Sequence, residues 1–170
     1  MSSDPGDLRD ALEAAEDAFD HAYGAPNYEP NITSGHVAEA GEIRFQKACR
    51  LLRAAAVLRE EGQYYTSVLE HSFAAIERTL EGYLIAVAGA DPDEFYDHET
   101  AYELAKSRSP LEERTIETIE GLYSKHRTEH YYQETVTTQR QAEEMCAVAL
   151  CVHDYLAAFD GALQRYCCCR

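Results

Sequence analysis

Apolar residues recur at helical spacing along most of the chain, and this pattern predicts helices rather than strands. The predicted helices are, in chain order, Pro5 to about Gly24, 36–61, 63–88, 97–106, Pro110 to about Leu122, and Thr138 to about Leu163. No stretch alternates apolar and polar residues over a useful length for a strand. Because short connections join long amphipathic helices, we expect an all-α, antiparallel up-down helical bundle.

The chain has 170 residues, which is the size of one ordinary domain. Within a single domain over 1–170, we expect an N-terminal helix and loop at 1–35. The helical bundle is predicted over 36–165, and a cysteine-rich tail follows at 166–170. No internal repeat or linker divides the chain further.

A polar segment from Leu122 to Gln133 departs from this pattern. It concentrates histidines, tyrosines and basic residues between two helices whose starts carry capping signals. We expect an irregular structure from Ser124 to Thr137. Because long polar loops in compact domains are often functional, this segment is the candidate site.

The segment contains His130-Tyr131-Tyr132, placed just before the last long helix. This His-x-Tyr motif resembles the signature of the HEPN family, whose members are small helical bundles. Lys125 stands where the family's ribonucleases have Arg, His126 occupies the usual Asn position, and Arg127 is shifted by two residues. The resemblance covers about Glu39 to Phe159. It implies a bundle of HEPN type, here with an additional N-terminal helix and short helices before the last long one.

The resemblance implies metal-independent RNA cleavage, with no cofactor and no metal. His130 would be the general acid or base, a role that suits the imidazole pKa. Either Lys125 or Arg127 would stabilise charge on the phosphate, although Lys lacks the planar fork of Arg. Glu129 and His126 would support the site. The family usually forms dimers that bring two motifs into one cleft, so a homodimer is expected.

The resemblance also implies a role for Tyr132. In the toxin branch of the family, a partner nucleotidyltransferase, acting as the antitoxin, attaches AMP to the Tyr of His-x-Tyr and silences the ribonuclease. Tyr132 is the corresponding residue here.

Two functions remain open. The first is a non-catalytic module that binds RNA, a nucleotide or a protein partner, and Lys125 in place of Arg favours it. The alternative is a toxin-like ribonuclease that uses His130. Elsewhere, Glu77 is expected to be solvated and His98 to be exposed.

The charge balance restricts both functions. The chain has 31 acidic against 15 Lys and Arg residues, a formal charge of −16, and three lysines, Lys47, Lys106 and Lys125. This balance excludes a broad basic surface for nucleic acid or for anionic membranes. Because the acidic residues are dispersed, they predict adaptation to high salt, where charge repulsion is screened. Against this background, Lys125-His126-Arg127 is a local concentration of positive charge.

Six cysteines are present, and three of them form the terminal Cys167-Cys168-Cys169 run. They lack the paired spacing of a zinc motif, so no metal site is predicted. Cys146 and His153 share an apolar helix face, which favours buried packing. The longest apolar runs, 83–90 and 145–152, are too short to span a membrane, and the N-terminus has no signal-peptide pattern. We therefore expect a cytoplasmic protein without structural disulfides.

Overall fold

The computed structural model describes residues 5–20, 40–132 and 136–167, except the side chains of 5–7, 20, 129–132, 162 and 166. This part of the chain is all-α and contains no strand, as the apolar spacing predicts. The helices are α1 Pro5–Asp20, α2 Ala40–Glu61, α3 Tyr65–Ala86, α4 His98–Arg108, α5 Glu113–Tyr132, α6 Gln139–Ala157 and α7 Gly161–Tyr166. A 3₁₀ turn, Pro92–Glu94, lies between α3 and α4.

The chain divides into two units, Met1–Val37 and Ala38–Arg170. In the first unit, the apolar side chains of α1 are exposed, including Leu8, Leu12 and Phe19. The second unit contains the helical bundle, α2 to α7. None of the described helices combines the length and the apolar character that a membrane crossing requires.

Helices α2, α3 and α6 enclose the main core of the bundle. Buried apolar residues of all three helices contribute to it, including Phe45, Leu52, Ile76, Leu80, Ala149 and Leu156. A tight turn at Gly62 and Gln63, both with positive φ (73° and 67°), joins α2 to α3. Glycine reaches this backbone region without a steric penalty, so Gly62 ends α2 as the sequence predicts.

Two glycines set the distance between α2 and α3. A Cβ atom at Gly41 would lie 2.8 Å from the Ala86 backbone nitrogen and 2.9 Å from the Gly82 carbonyl oxygen. A Cβ at Gly82 would lie 2.9 Å from the Gly41 oxygen and 3.0 Å from Phe45 Cβ. These separations are too short for real side chains, so α2 and α3 pack backbone against backbone at this point.

Three predicted helix starts, at Pro5, Asp97 and Thr138, are confirmed and one is wrong. Thr138 forms a capping box with Gln141, and the Asp97 carboxylate accepts hydrogen bonds from the first turn of α4. The start predicted at Ser109-Pro110 is displaced. Ser109 is the C-cap of α4, and α5 begins at Glu113. Its first turn forms at Glu112, whose carbonyl accepts hydrogen bonds from two later backbone N–H groups.

The irregular structure predicted from Ser124 onward is also wrong, because α5 continues to Tyr132. No glycine or proline interrupts residues 122–132. The half-buried Tyr123 and His126 extend the stripe that begins with the buried Ile116 and Ile119. Aromatic rings therefore replace aliphatic side chains on the inner face, and the helical period is retained. Residues 133–135 of the predicted loop lie outside the described residues.

Candidate functional site

The predicted site residues lie on the C-terminal half of α5. Lys125 and Arg127 are exposed, and His126 is half-buried. The other three occupy the last turn of the helix backbone, and their side chains lie outside the described residues: Glu129, His130 and Tyr132. The candidate site is therefore built from the described side chains around α5.

Helix α5 separates two concave regions, and the predicted cations lie on different ones. Lys125 and His126 line a groove between α5 and the helices α3 and α6. Arg127 lines a polar pocket between α4 and α5. Because neighbouring helix positions are about 100° apart, consecutive side chains leave the axis in different directions. The structure thus separates Lys125 from Arg127, the two cations that the sequence leaves as alternatives.

The groove has an apolar floor and a basic rim, with a volume of about 370 Å³. The floor is formed by Leu69, Phe73, Leu122, Met145 and Val148. Lys125, His126 and Arg140 provide basic side chains, and Glu144 is the acidic residue of the lining. The His126 ring stacks on Phe73 with centroids 5.7 Å apart, so this imidazole contributes to packing.

The polar pocket has a volume of about 390 Å³ and is lined mostly by polar side chains. Its lining consists of His98, Glu99, Tyr102, Glu120, Tyr123, Ser124, Arg127 and Thr128. The Arg127 guanidinium lies 5.6 Å from the centre of the Tyr123 ring, a cation–π contact that restrains it beside the pocket. Lys106 Nζ forms an ion pair with Glu120 Oε2 at 2.9 Å, so part of the negative charge of the pocket is neutralised.

A buried carboxylate orients His98 at the edge of this pocket. His98 Nδ1 lies 2.8 Å from Glu77 Oε2, and Glu77 is 5% exposed. His98 itself is exposed, as the sequence predicts. The expectation that Glu77 is solvated is wrong, because it lies on the inner face of α3. When Nδ1 donates its proton to Glu77, Nε2 presents a lone pair that can accept a proton from a ligand.

Glu77 belongs to a charged cluster that joins α2, α3 and α4. Arg78 donates to both Glu77, at 2.9 Å, and Glu81, at 2.6 Å. Arg44 also donates to Glu81, at 3.1 Å. Burial raises the pKa of Glu81 above its usual value, and this effect outweighs the opposing pull of Arg78 and Arg44. The cluster fixes the carboxylate of Glu77, and hence the ring of His98.

Tyr102 lines the polar pocket, and its hydroxyl group is buried. The residue is 1% exposed, and its Oη atom has no hydrogen-bond partner among the described residues. Burial raises the pKa of Tyr102 well above its usual value, so the hydroxyl keeps its proton. A buried O–H without an acceptor is costly, so this hydroxyl is an unsatisfied donor beside the pocket.

Sequence reasoning did not assign Glu77, His98 and Tyr102 to a site. They come from α3 and α4, and the contact between Glu77 and His98 joins residues 21 positions apart. One signal was present: Glu77 and Glu81 lie on the apolar stripe of α3 with Phe73 and Leu84. A carboxylate on a buried helix face requires a partner, and such positions are good candidates for a site.

Residues 3–169 match the family model described as "Domain of unknown function (DUF8154)", and the chain belongs to that family. No curated protein matches the chain. No solved structure matches it either.

Proposed function

We propose that the protein is a small HEPN-like binding module that holds a phosphate group of RNA or of a nucleotide in the polar pocket. One observation carries the proposal. Arg127, the Glu77-oriented His98 and Tyr102, whose buried hydroxyl has no partner among the described residues, line the same pocket. The Arg127 guanidinium and, when both ring nitrogens carry protons, the His98 imidazole can donate to a phosphate oxygen, as can a hydroxyl.

The negative charge of the whole chain is compatible with this site. The pocket needs to accept one phosphate, and Lys106 already engages Glu120 on its wall. The dispersed acidic residues predict an environment of high salt. At 1 M salt the Debye length is about 3 Å, so long-range repulsion between the protein and a phosphate is screened. Directed hydrogen bonds and base stacking are less sensitive to salt than the release of counterions. We therefore expect binding that depends on a few donors.

The decisive experiment compares two cations on the same helix. Binding of a fluorescent single-stranded RNA is measured by polarisation in multimolar KCl, with AMP as a competitor. Arg127→Ala should weaken binding about tenfold or more, because it removes charge-assisted hydrogen bonds to phosphate. Lys125→Ala should have little effect, because Lys125 lines the groove instead. Lys47→Ala, exposed on α2, is the matched control.

The reverse ranking would overturn the proposal. If Lys125→Ala abolished binding and Arg127→Ala did not, the ligand site would be the groove. Equal small losses in all three variants would indicate non-specific charge attraction. Competition by AMP distinguishes a nucleotide site, which AMP blocks completely, from an extended RNA site, which it blocks weakly.

A second candidate function is metal-independent cleavage of RNA, and the Glu77–His98 pair favours it. A neutral imidazole would take the proton of the ribose 2′-hydroxyl, whose oxygen attacks the phosphorus. The P–O5′ bond breaks, and an imidazolium or a water molecule protonates the leaving oxygen. The products are a 2′,3′-cyclic phosphate and a free 5′-hydroxyl. His130 remains the predicted acid or base, and it follows Arg127 by three helix positions.

Cleavage is tested with wild type, His130→Ala and His98→Ala in multimolar KCl containing a chelator. Loss of cyclic-phosphate products in His130→Ala supports catalysis by the motif, and loss in His98→Ala alone moves catalysis to the polar pocket. Unchanged cleavage in both variants, or none in wild type, would refute this candidate and leave the binding module.

Homodimer formation and modification of Tyr132 by a nucleotidyltransferase stay predictions that belong to the HEPN resemblance. Light scattering after gel filtration measures the first. The second is measured by incubation with such an enzyme and ATP. The expected product carries one AMP group on wild type and none on Tyr132→Phe.

A further inference from the structure

A second polar cluster lies inside the bundle, built from cysteine and histidine. Cys49 of α2 and His153 of α6 are both fully buried, and Cys167 follows α7 at the edge of the core. The Cys49 and Cys167 sulfur atoms lie 3.3 Å and 3.5 Å from the same atom, His153 Nε2. One donor atom from each residue lies within 4.8 Å of the other two.

These distances fit the ligands of a tetrahedral zinc ion. With Zn–S of about 2.3 Å and Zn–N of about 2.0–2.1 Å, tetrahedral angles place sulfur and nitrogen about 3.5 Å apart. The same geometry places two sulfurs about 3.8 Å apart. Two sulfurs and one imidazole nitrogen at these separations can share one cation.

The surroundings of His153 hold its ring in the orientation that a metal ligand needs. Its other nitrogen, Nδ1, lies 2.9 Å from the hydroxyl of the buried Thr79. The ring also stacks on Phe45, with centroids 4.3 Å apart. When Nδ1 donates to Thr79, Nε2 carries the lone pair that faces the two sulfurs. Metal-binding histidines usually have such a hydrogen bond on the second nitrogen.

We propose that Cys49, His153 and Cys167 bind one zinc ion. The two thiols release their protons to solvent, and two thiolates with a neutral imidazole balance the charge of Zn²⁺. A neutral complex is compatible with the buried surroundings of Cys49 and His153. The fourth position would be filled by water or by another ligand. Cys168 and Cys169 follow in the sequence, and their placement lies outside the described residues.

The zinc ion would connect three parts of the chain that are distant in sequence. It joins α2 and α6 to the residue that follows α7, so the end of the described chain is fixed to the core. We expect removal of zinc to lower the melting temperature, because metal binding contributes to folding. This site is separate from the polar pocket, so it does not depend on the proposed function.

The test uses the full chain, purified in reductant without a histidine tag and loaded with zinc before gel filtration. Plasma mass spectrometry should find about one zinc ion per chain in wild type. Cys49→Ser and Cys167→Ser should lose most of this metal. Cys151→Ser is the matched control, because Cys151 is exposed on the same helix as His153. It should retain the full zinc content.

Cobalt substitution in wild type keeps the proposal testable if a buried variant fails to fold. Thiolate ligands give a charge-transfer band in the near ultraviolet, and tetrahedral Co²⁺ gives strong visible bands. Absence of both bands, or wild-type zinc content that Cys49→Ser and Cys167→Ser retain, would overturn the proposal. A disulfide between Cys49 and Cys167 in the protein purified under reducing conditions would also overturn it, because the thiolates would then be consumed.

Discussion

Helices α3 and α5 are similar in length but differ in how the bundle holds them. Thirteen of the 22 residues of α3 are buried, whereas Ile116 and Ile119 are the buried residues among the described side chains of α5. Helix α3 contributes Glu77 and Glu81 to the charged cluster, and Thr79 to the cysteine–histidine cluster. Helix α5 contacts the core of the bundle through a narrow stripe that contains Ile116 and Ile119. Its two flanks therefore remain open and line the groove and the polar pocket.

This difference gives the two helices different roles: α3 holds buried polar groups in place, and α5 presents side chains on its exposed flanks. A helix that is buried on most sides can fix carboxylates and hydroxyls in one geometry, as α3 does for Glu77. A helix attached by one stripe can present different chemistry on its two flanks, as α5 does with Lys125 and Arg127. Mutations should accordingly change stability most when they lie in α3, and change ligand binding when they lie on the flank of α5 that lines the polar pocket.

Replacing the same residue type in the two helices should give the largest contrast. Leu80→Ala, at a fully buried position of α3, should reduce the free energy of unfolding by about 2–5 kcal/mol. Leu122→Ala, at a position of α5 that is 45% exposed, should cost about 1 kcal/mol or less. Urea unfolding followed by circular dichroism measures both. Equal losses would show that α5 is held as firmly as α3.

The glycines of the two helices should respond with opposite signs. Gly82→Ala should destabilise the protein by about 1–3 kcal/mol, because its Cβ would meet the Gly41 carbonyl at 2.9 Å. Gly121→Ala on α5 should stabilise it by about 0.5–1 kcal/mol, because nothing lies within 4 Å and alanine favours the helix. Chemical unfolding of both variants tests this. A stabilised Gly82→Ala would contradict the close approach of α2 and α3.

The pH dependence of stability should reveal the buried carboxylate of Glu81 on α3. Because burial raises the pKa of Glu81, the native state binds its proton more tightly than the unfolded state. This contribution to stability is present at pH below the usual glutamate pKa and is lost as the pH rises through the raised value. In Glu81→Gln the side chain has no carboxyl to titrate, so this pH-dependent contribution is absent. The stability of wild type relative to Glu81→Gln should therefore fall with rising pH in this window, and a relative rise would refute the raised pKa.

The smallest effect is expected at the surface link between α4 and α5. Lys106 lies 2.7 Å from Glu103 and 2.9 Å from Glu120, and these contacts raise its pKa. The raised pKa stabilises the fold below the usual lysine pKa, and this contribution is lost as the pH rises through the raised value. Lys106→Met should cost below about 1 kcal/mol near neutral pH in dilute buffer, and less in multimolar KCl. A loss that high salt leaves unchanged would show that packing of the lysine stem is responsible.

The sequence predicts most helix positions because periodic patterns and several capping signals are local. The last predicted helix, Thr138 to about Leu163, is wrong in its extent, because the structure divides it into α6 and α7. Thr138, Asp97 and Gly62 mark boundaries through local backbone chemistry, and the structure confirms all three. The extent of α5 is not predicted, because polar residues between two helices are also typical of a loop. The helical period through Tyr123 and His126 was the better signal.

The candidate site was only partly predictable, for a physical reason. The sequence indicates which residues of α5 carry charge, and the flank that each one occupies depends on the neighbouring helices. The contact of Glu77 with His98 and the convergence of Cys49 and Cys167 on His153 join residues 14 to 104 positions apart. Such contacts are set by how helices pack, and no local pattern encodes them.

The contact between Gly41 and Gly82 bears on both polar clusters, because each cluster contains a residue of α2. Arg44 and Cys49 lie about one and two turns beyond Gly41. Arg44 contacts Glu81 of α3, and Cys49 contacts His153 of α6. A larger residue at either glycine would shift α2 and move both side chains together. Sequence change in this family should therefore couple the two glycine positions to the lengths of the side chains in both clusters. The position of α2 against α3 therefore influences the geometry of two clusters that do not touch the glycines themselves.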